Sequence, residues 1–125
     1  MRMLPGIIAL CSLTLFGWPP CVAWGHAFPH HSEPKVGATM NVVPSRIRIW
    51  FDGALEPAFS SMRVQDGNGQ RVDIGDGHVD SADATLLETD LTPLPPGRYR
   101  VIWSVVARDG HRTEGDFMFT IQRGD

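Results

Sequence analysis

The clearest regularity in the chain is alternation of apolar and polar positions from residue 46 onward. In Arg46-Ile47-Arg48-Ile49-Trp50-Phe51, the side chains of Ile47, Ile49 and Phe51 share one face and Arg46, Arg48 and Trp50 the other. A period of two is the mark of a half-buried strand. Ser61-Met62-Arg63-Val64-Gln65 repeats it, and Asp66-Gly67-Asn68-Gly69 then offers a turn leading into Gln70–Ile74 as a hairpin partner. Thr85–Thr89 reads as a further strand. The longest follows, with Tyr99, Val101, Trp103 and Val105 on one face, and Phe117, Phe119 and Ile121 alternate on the last.

The segments between are punctuated rather than periodic. His26–Lys35 is rich in His and Pro and reads as an extended lead-in, Val36-Gly37-Ala38 as a turn, and Gly75–His78 and Asp80–Asp83 as loop. Leu94-Pro95-Pro96-Gly97-Arg98-Tyr99 resembles the tyrosine corner of Greek-key sandwiches, in which the ring packs inward and the hydroxyl bonds to nearby backbone. No window carries a helical repeat. About seven short strands separated by turn signals predict an all-β fold, an immunoglobulin-like antiparallel β-sandwich of Greek-key type. Its core is expected to hold Ile47, Ile49, Phe51, Val101, Trp103, Phe117 and Phe119.

The first 25 residues follow a different rule. Met1-Arg2-Met3 is a short positive start, Ile7–Phe16 is mostly apolar, and Pro19-Pro20 break the run. Ala23 and Gly25 are small at the two positions an A-x-A-like cleavage site needs. The run is too short to span a bilayer, which takes about 20 apolar residues. Residues 1–25 therefore read as a cleaved signal peptide and 26–125 as one mature domain; a cut after Ala23 is the competing boundary.

This division changes the composition. The chain has 2 cysteines. Both Cys11 and Cys21 leave with the leader, so the mature domain is held by packing alone and has no thiolate to offer a metal. The full chain carries 11 Lys+Arg and 14 Asp+Glu; loss of Arg2 leaves 10 against 14, a net charge of −4 with His neutral. Without a basic cluster, nucleic acid is excluded as the expected partner. The domain is taken as a monomer.

Cleavage after Gly25 makes His26 the first residue. A terminal histidine brings two nitrogens, the α-amine and a ring nitrogen, and such a pair suits Cu(II) in tetragonal geometry. The second candidate stretch is Asp109-Gly110-His111, between the two C-terminal strands. Two residues apart in an extended segment, the carboxylate and imidazole point the same way, and Gly110 lets the backbone turn. Converging on His26, they give Cu(II) three nitrogens and one oxygen, one ion per chain.

These residues resemble the CopC family of periplasmic copper-binding proteins. The likeness runs through His26-Ala27…Ser32-Glu33-Pro34…Gly37-Ala38, Ile47–Phe51, Pro95–Val106, Asp109-Gly110-His111 and Gly115–Phe119. It implies an immunoglobulin-like copper carrier of the periplasm. The implied Cu(II) centre uses the amine and imidazole of His26, the carboxylate of Asp109 and the imidazole of His111. A CopD-type inner-membrane copper transporter is the implied partner. Some family members carry a Glu near the site after the second strand; Gly53 stands there, with Asp52 beside it. Some carry a methionine-rich Cu(I) loop; here Met40, Met62 and Met118 are scattered, so the expectation is Cu(II) only.

His30, His31 and His78 read as solvated loop histidines, with a weak secondary metal site as the sharper alternative for His30-His31. Trp50 and Trp103 read as core rather than as a copper shield, and Asp73, Asp76, Asp80 and Asp83 as a solvated acidic loop. Two rival functions remain. One is a histidine-brace copper enzyme of the polysaccharide monooxygenase kind; the other is a metal-free immunoglobulin-like interaction module. Asp109 filling a position that an oxygen-activating centre leaves open argues against the first, so the expectation is a non-enzyme. The His26, Asp109 and His111 trio argues against the second.

Overall fold

The computed structural model describes residues 27–123; His26 and the leader lie outside them. Eight strands follow in order: β1 (Pro29–Glu33), β2 (Thr39–Met40), β3 (Arg46–Phe51), β4 (Ser61–Gln65), β5 (His78–Val79), β6 (Leu86–Asp90), β7 (Gly97–Val106) and β8 (Arg112–Ile121). They form two four-stranded sheets, β1-β3-β6-β5 and β2-β8-β7-β4. Every pairing is antiparallel except β2 on β8, which is parallel. No described helix is long and apolar enough to cross a membrane.

The sandwich closes on the alternation that predicted it. Ile47, Ile49 and Phe51 of β3 face Val101, Trp103 and Val105 of β7 and Phe117, Phe119 and Ile121 of β8 across one core, and all are buried. Phe51 meets Trp103 edge-on, with ring centroids 5.3 Å apart, a geometry the ring quadrupoles favour. The tyrosine corner is present. Tyr99 is buried, stacks on Phe119, and donates its hydroxyl to the Pro95 carbonyl.

Four expectations need correction. The His/Pro-rich lead-in is a strand: β1 pairs with β3 from Pro29↔Phe51 to Glu33↔Arg48, with a bulge at His30. Period-two alternation fails there because the bulge inserts a residue and the strand lies at a sheet edge. Gln70–Ile74 is not a strand; it contributes only isolated bridges, Gln65↔Arg71 and Asp73↔Leu91. His78 belongs to β5 rather than to a loop. Asp76, Asp80 and Asp83 lie in loop as expected, but Asp73 is buried and the carboxylates of all four cap backbone amides. Asp73, its side chain buried, accepts from Val64 and Gly75 and pairs with Arg71. Asp76 takes the Asp90 amide, Asp80 those of Ala82 and Asp83, and Asp83 that of Thr85. Short polar side chains that bond local backbone are how irregular segments satisfy their amides.

Candidate metal centre

β7 and β8 run side by side for ten residues and are joined at one end of the sandwich by Ala107–His111. The Ala107 amide donates to the His111 carbonyl (2.9 Å) and the Gly110 amide to the Ala107 carbonyl (2.8 Å). Gly110 sits at φ +92°, a region that costs any residue with a β-carbon. The turn is braced from the side: Arg108 donates to the Ala54 carbonyl, Glu56 to that of Val106, and Leu55 bridges to Ala107.

This turn brings Asp109 and His111 together. Oδ1 of Asp109 accepts the His111 backbone amide (3.0 Å), and Oδ2 lies 2.8 Å from Nδ1 of the ring. Nδ1 and Oδ2 face each other on one side of the pair, so one metal ion held by both takes the place of the hydrogen bond between them, each atom giving it a lone pair once the shared proton is lost. The imidazole is more than half exposed and the carboxylate about a quarter. Among the described residues, no group of three or more His, Cys, Asp or Glu side chains converges as a metal set. His26, the third member of the expected set, falls outside the described residues.

The chain just after His26 is held at the same end. The Ala27 carbonyl accepts from the hydroxyl of Thr113 (2.7 Å), which lies two residues beyond His111 on β8. Ala27 is fully buried. The Phe28 amide donates to Oδ1 of Asp52 (2.7 Å), and the Asp52 amide returns a bond to the Phe28 carbonyl (2.9 Å). Asp52 and Thr113 thus hold the segment beside the candidate site, a contact that sequence reasoning does not identify. Asp52 stands out in the sequence only as neighbour to the position of a family Glu, and nothing marks Thr113 beyond its spacing of two from His111.

The other candidates lie elsewhere. His31 lies away from that turn on the outer face of β1, where its ring is tilted against Trp50 with centroids 4.9 Å apart and Nε2 lies 3.7 Å from Glu33. His30 and His31 border a cleft of about 440 Å³ between β1 and β8 whose lining includes Lys35, Trp103 and Asp116. Trp50 is half-buried on that outer face, so the expectation of core packing holds for Trp103 and not for Trp50. His78 is exposed, as expected, but has partners: Nδ1 contacts the Asp76 carbonyl (2.6 Å) and Nε2 lies 3.3 Å from the buried carboxylate of Glu88.

These observations define a class: a two-sheet immunoglobulin-like sandwich with an acid–imidazole pair in its last turn, beside an anchored N-terminal segment. The chain belongs to the CopC domain family, whose pattern matches residues 30–122. It is 30% identical over 115 residues to protein YobA of Escherichia coli K12, covering 91% of this chain and 92% of YobA. It is 28% identical over 107 residues to the copper transport protein CutJ of Bacillus subtilis, covering 85% of this chain but only 20% of CutJ. Among solved structures, CopC from Methylosinus trichosporium OB3b is similar with a TM-score of 0.74 and 28% identity, covering 80% of this chain and 97% of that one. PcoC, a methionine-rich copper resistance protein from Escherichia coli, shares the fold at a TM-score of 0.63 and 24% identity, covering 78% of this chain and 99% of PcoC.

Proposed function

We propose that this protein is an exported, non-catalytic copper carrier that binds one Cu(II) per chain in the periplasm. The ligands are the α-amine and imidazole of His26, exposed by cleavage after Gly25, with the carboxylate of Asp109 and the imidazole of His111. The observation that carries this reading is the Asp109–His111 pair, 2.8 Å apart, on a turn whose neighbouring strand grips the residue after His26. Family membership and the names of the relatives, copper transport and copper resistance, support copper as the cargo. The same names favour carriage over oxidative catalysis.

The donor set fits Cu(II), which takes nitrogen and oxygen ligands in tetragonal sites. Among the described residues, no soft sulfur lies nearby. Met62 is buried in the core, and Met40 and Met118 lie toward the far end of β8, with Met40 opposite Ile121. At about 3.3 Å per residue, Met118 is roughly 20 Å along the strand from His111. The role is to hold Cu(II) for transfer or sequestration. The recipient we assign is a CopD-type membrane copper transporter. Supporting this, the chain matches only a fifth of CutJ, so in that copper transport protein a domain of this kind is joined to a much larger remainder.

A Cu(II) competition titration tests the assignment on three proteins: the chain beginning at His26, the same chain preceded by one Met, and His111→Ala. Metal binding requires deprotonated ligands, and the extra Met converts the terminal amine into an amide that cannot ligate in the same way. The extended form and His111→Ala are both expected to lose at least tenfold in affinity, about 1.4 kcal/mol. Equal affinity of the extended and cleaved forms would refute a site built on the terminal amine.

A further inference from the structure

We infer that Asp52 and Thr113 form a clamp that positions the N-terminal segment for metal capture, and that Asp52 serves there as a positioning residue rather than a ligand. The inference rests on the reading of His26 as a copper ligand. It concerns how that ligand is delivered.

The clamp grips two consecutive residues from two different sheets. Thr113, on β8, donates its hydroxyl to the Ala27 carbonyl at 2.7 Å. Asp52, just past the end of β3, closes a reciprocal pair with Phe28: the Phe28 amide reaches Oδ1 at 2.7 Å, and the Asp52 amide reaches the Phe28 carbonyl at 2.9 Å. Between these bonds the Ala27 side chain is wholly buried. Gly53 packs beside it, where an added Cβ would make an ordinary van der Waals contact with that of Ala27 at 3.9 Å. Phe51, the residue opposite Pro29, turns its amide away to the Thr85 carbonyl, so the bonds that fasten this end of the segment to β3 are those between Phe28 and Asp52.

The consequence follows from chain geometry. His26 directly precedes Ala27 in the sequence, and one trans peptide step spans about 3.8 Å between Cα atoms. A chain end is normally poorly ordered unless it is tied down, and ordering a residue costs backbone entropy. Here the ordering of Ala27 and Phe28 is supplied by the fold itself, and it occurs beside the strand that carries His111. Less ordering is then left to the binding step, which is how preorganisation raises affinity. The bond from Phe28 also assigns Asp52 a task that needs an oxygen acceptor but no negative charge.

That distinction sets the test. Cu(II) affinity is measured by competition for the cleaved protein and for Asp52→Ala, Asp52→Asn, Thr113→Val and Thr113→Ser. Amide exchange at Phe28 is followed in the same proteins without metal. Asp52→Ala and Thr113→Val are expected to weaken Cu(II) by about five- to tenfold, the scale of one lost hydrogen bond. Asp52→Asn and Thr113→Ser keep an acceptor and a hydroxyl and should stay within about twofold of the parent. Phe28 exchange should accelerate in Asp52→Ala and not in Asp52→Asn. Loss of affinity in Asp52→Asn equal to that in Asp52→Ala would mean that the charge acts on the metal, overturning the positioning role. Parental affinity in both Asp52→Ala and Thr113→Val would overturn the clamp. The Met-extended chain separates the two ideas: if it binds as tightly as the cleaved one, the His26 reading fails, whereas the clamp stands or falls on the four variants.

Discussion

The indole of Trp103 lies directly over Gly115, its partner across the β7–β8 pair. A β-carbon added at Gly115 would fall 2.4 Å from Cζ2 and 2.8 Å from Cε2 of the ring. The ring cannot easily move aside, because its other neighbour is the buried phenyl of Phe51. Gly115 is therefore set by a close approach and not by backbone conformation. Gly115→Ala should lower stability by about 1–3 kcal/mol, the usual scale of overpacking. Trp103→Phe, which removes the clashing ring atoms, should cost less in the Gly115→Ala background than alone. A double-mutant cycle of denaturant midpoints reads this coupling, and purely additive costs would show that the contact is relaxed in solution.

Asp76 holds β6 in place. Its Oδ1 accepts the Asp90 amide and the hydroxyl of Thr89, both at 2.9 Å, and Thr89 is fully buried. The bond from the Asp90 amide keeps the Asp76 carboxyl below its ordinary pKa; burial opposes the shift, and the Thr89 bond adds to it. A depressed folded pKa contributes stability that is present above the unfolded value, about 3.9, and lost as pH falls through the folded one. Asp76→Ala should destabilise by about 1–3 kcal/mol at neutral pH, because it strands a buried hydroxyl and an amide. The gap to the parent should narrow in acid. Urea melts at neutral and acid pH measure it, and a gap that widens in acid would contradict the sign.

His78 works in the opposite direction. The bond from Nδ1 to the Asp76 carbonyl raises its pKa; partial burial opposes this, and the Glu88 carboxylate reinforces it. Arg46 and Arg48 of β3 share that same carboxylate. With the folded pKa above the unfolded value of about 6.5, the stabilisation is fully present below that value and is lost as pH rises through the folded pKa. The penalty of His78→Gln should therefore be larger near pH 5.5 than near pH 9. Equal penalties at both would mean that the imidazolium adds nothing.

Oxidation state provides a check on the donor set. Competition titrations under oxidising and reducing conditions should show Cu(II) held far more tightly than Cu(I), and Met62→Leu should change neither, since Met62 is a core residue. Comparable Cu(I) affinity would require a soft site that the scattered methionines do not form.

The strands that the chain announces in its own sequence are those with a buried and an exposed face. In β3 and the central stretches of β7 and β8, alternation maps onto the pleat, so the pattern alone assigns Ile47, Ile49, Phe51, Val101 and Phe119 to the core they occupy. Tyr99 is legible for a similar reason: a Pro-Pro-Gly corner just ahead of it is local chemistry. Local chemistry also makes the Asp109–His111 pair readable, because two residues separated by one glycine can meet without help from the rest of the fold.

Tertiary structure alone decided whatever depends on a partner distant in sequence. β1 and β5 are strands because β3 and β6 offer them an edge, not because His-His or His-Val favours extension. Glu88 and Thr89 are buried on opposite faces of β6 by groups 10 to 42 residues away. Gly115 is distinguished from any other strand glycine only by the indole of Trp103 lying over it. The Thr113 bond to Ala27 spans 86 residues of chain. Hydroxyls and carboxylates are common, and which of them finds a given carbonyl or amide is fixed only when two sheets pack. The sequence by itself therefore determined the sandwich and the acid–imidazole pair, whose causes are periodic or local. The grip on the N-terminal segment was decided by the packing of one sheet against the other.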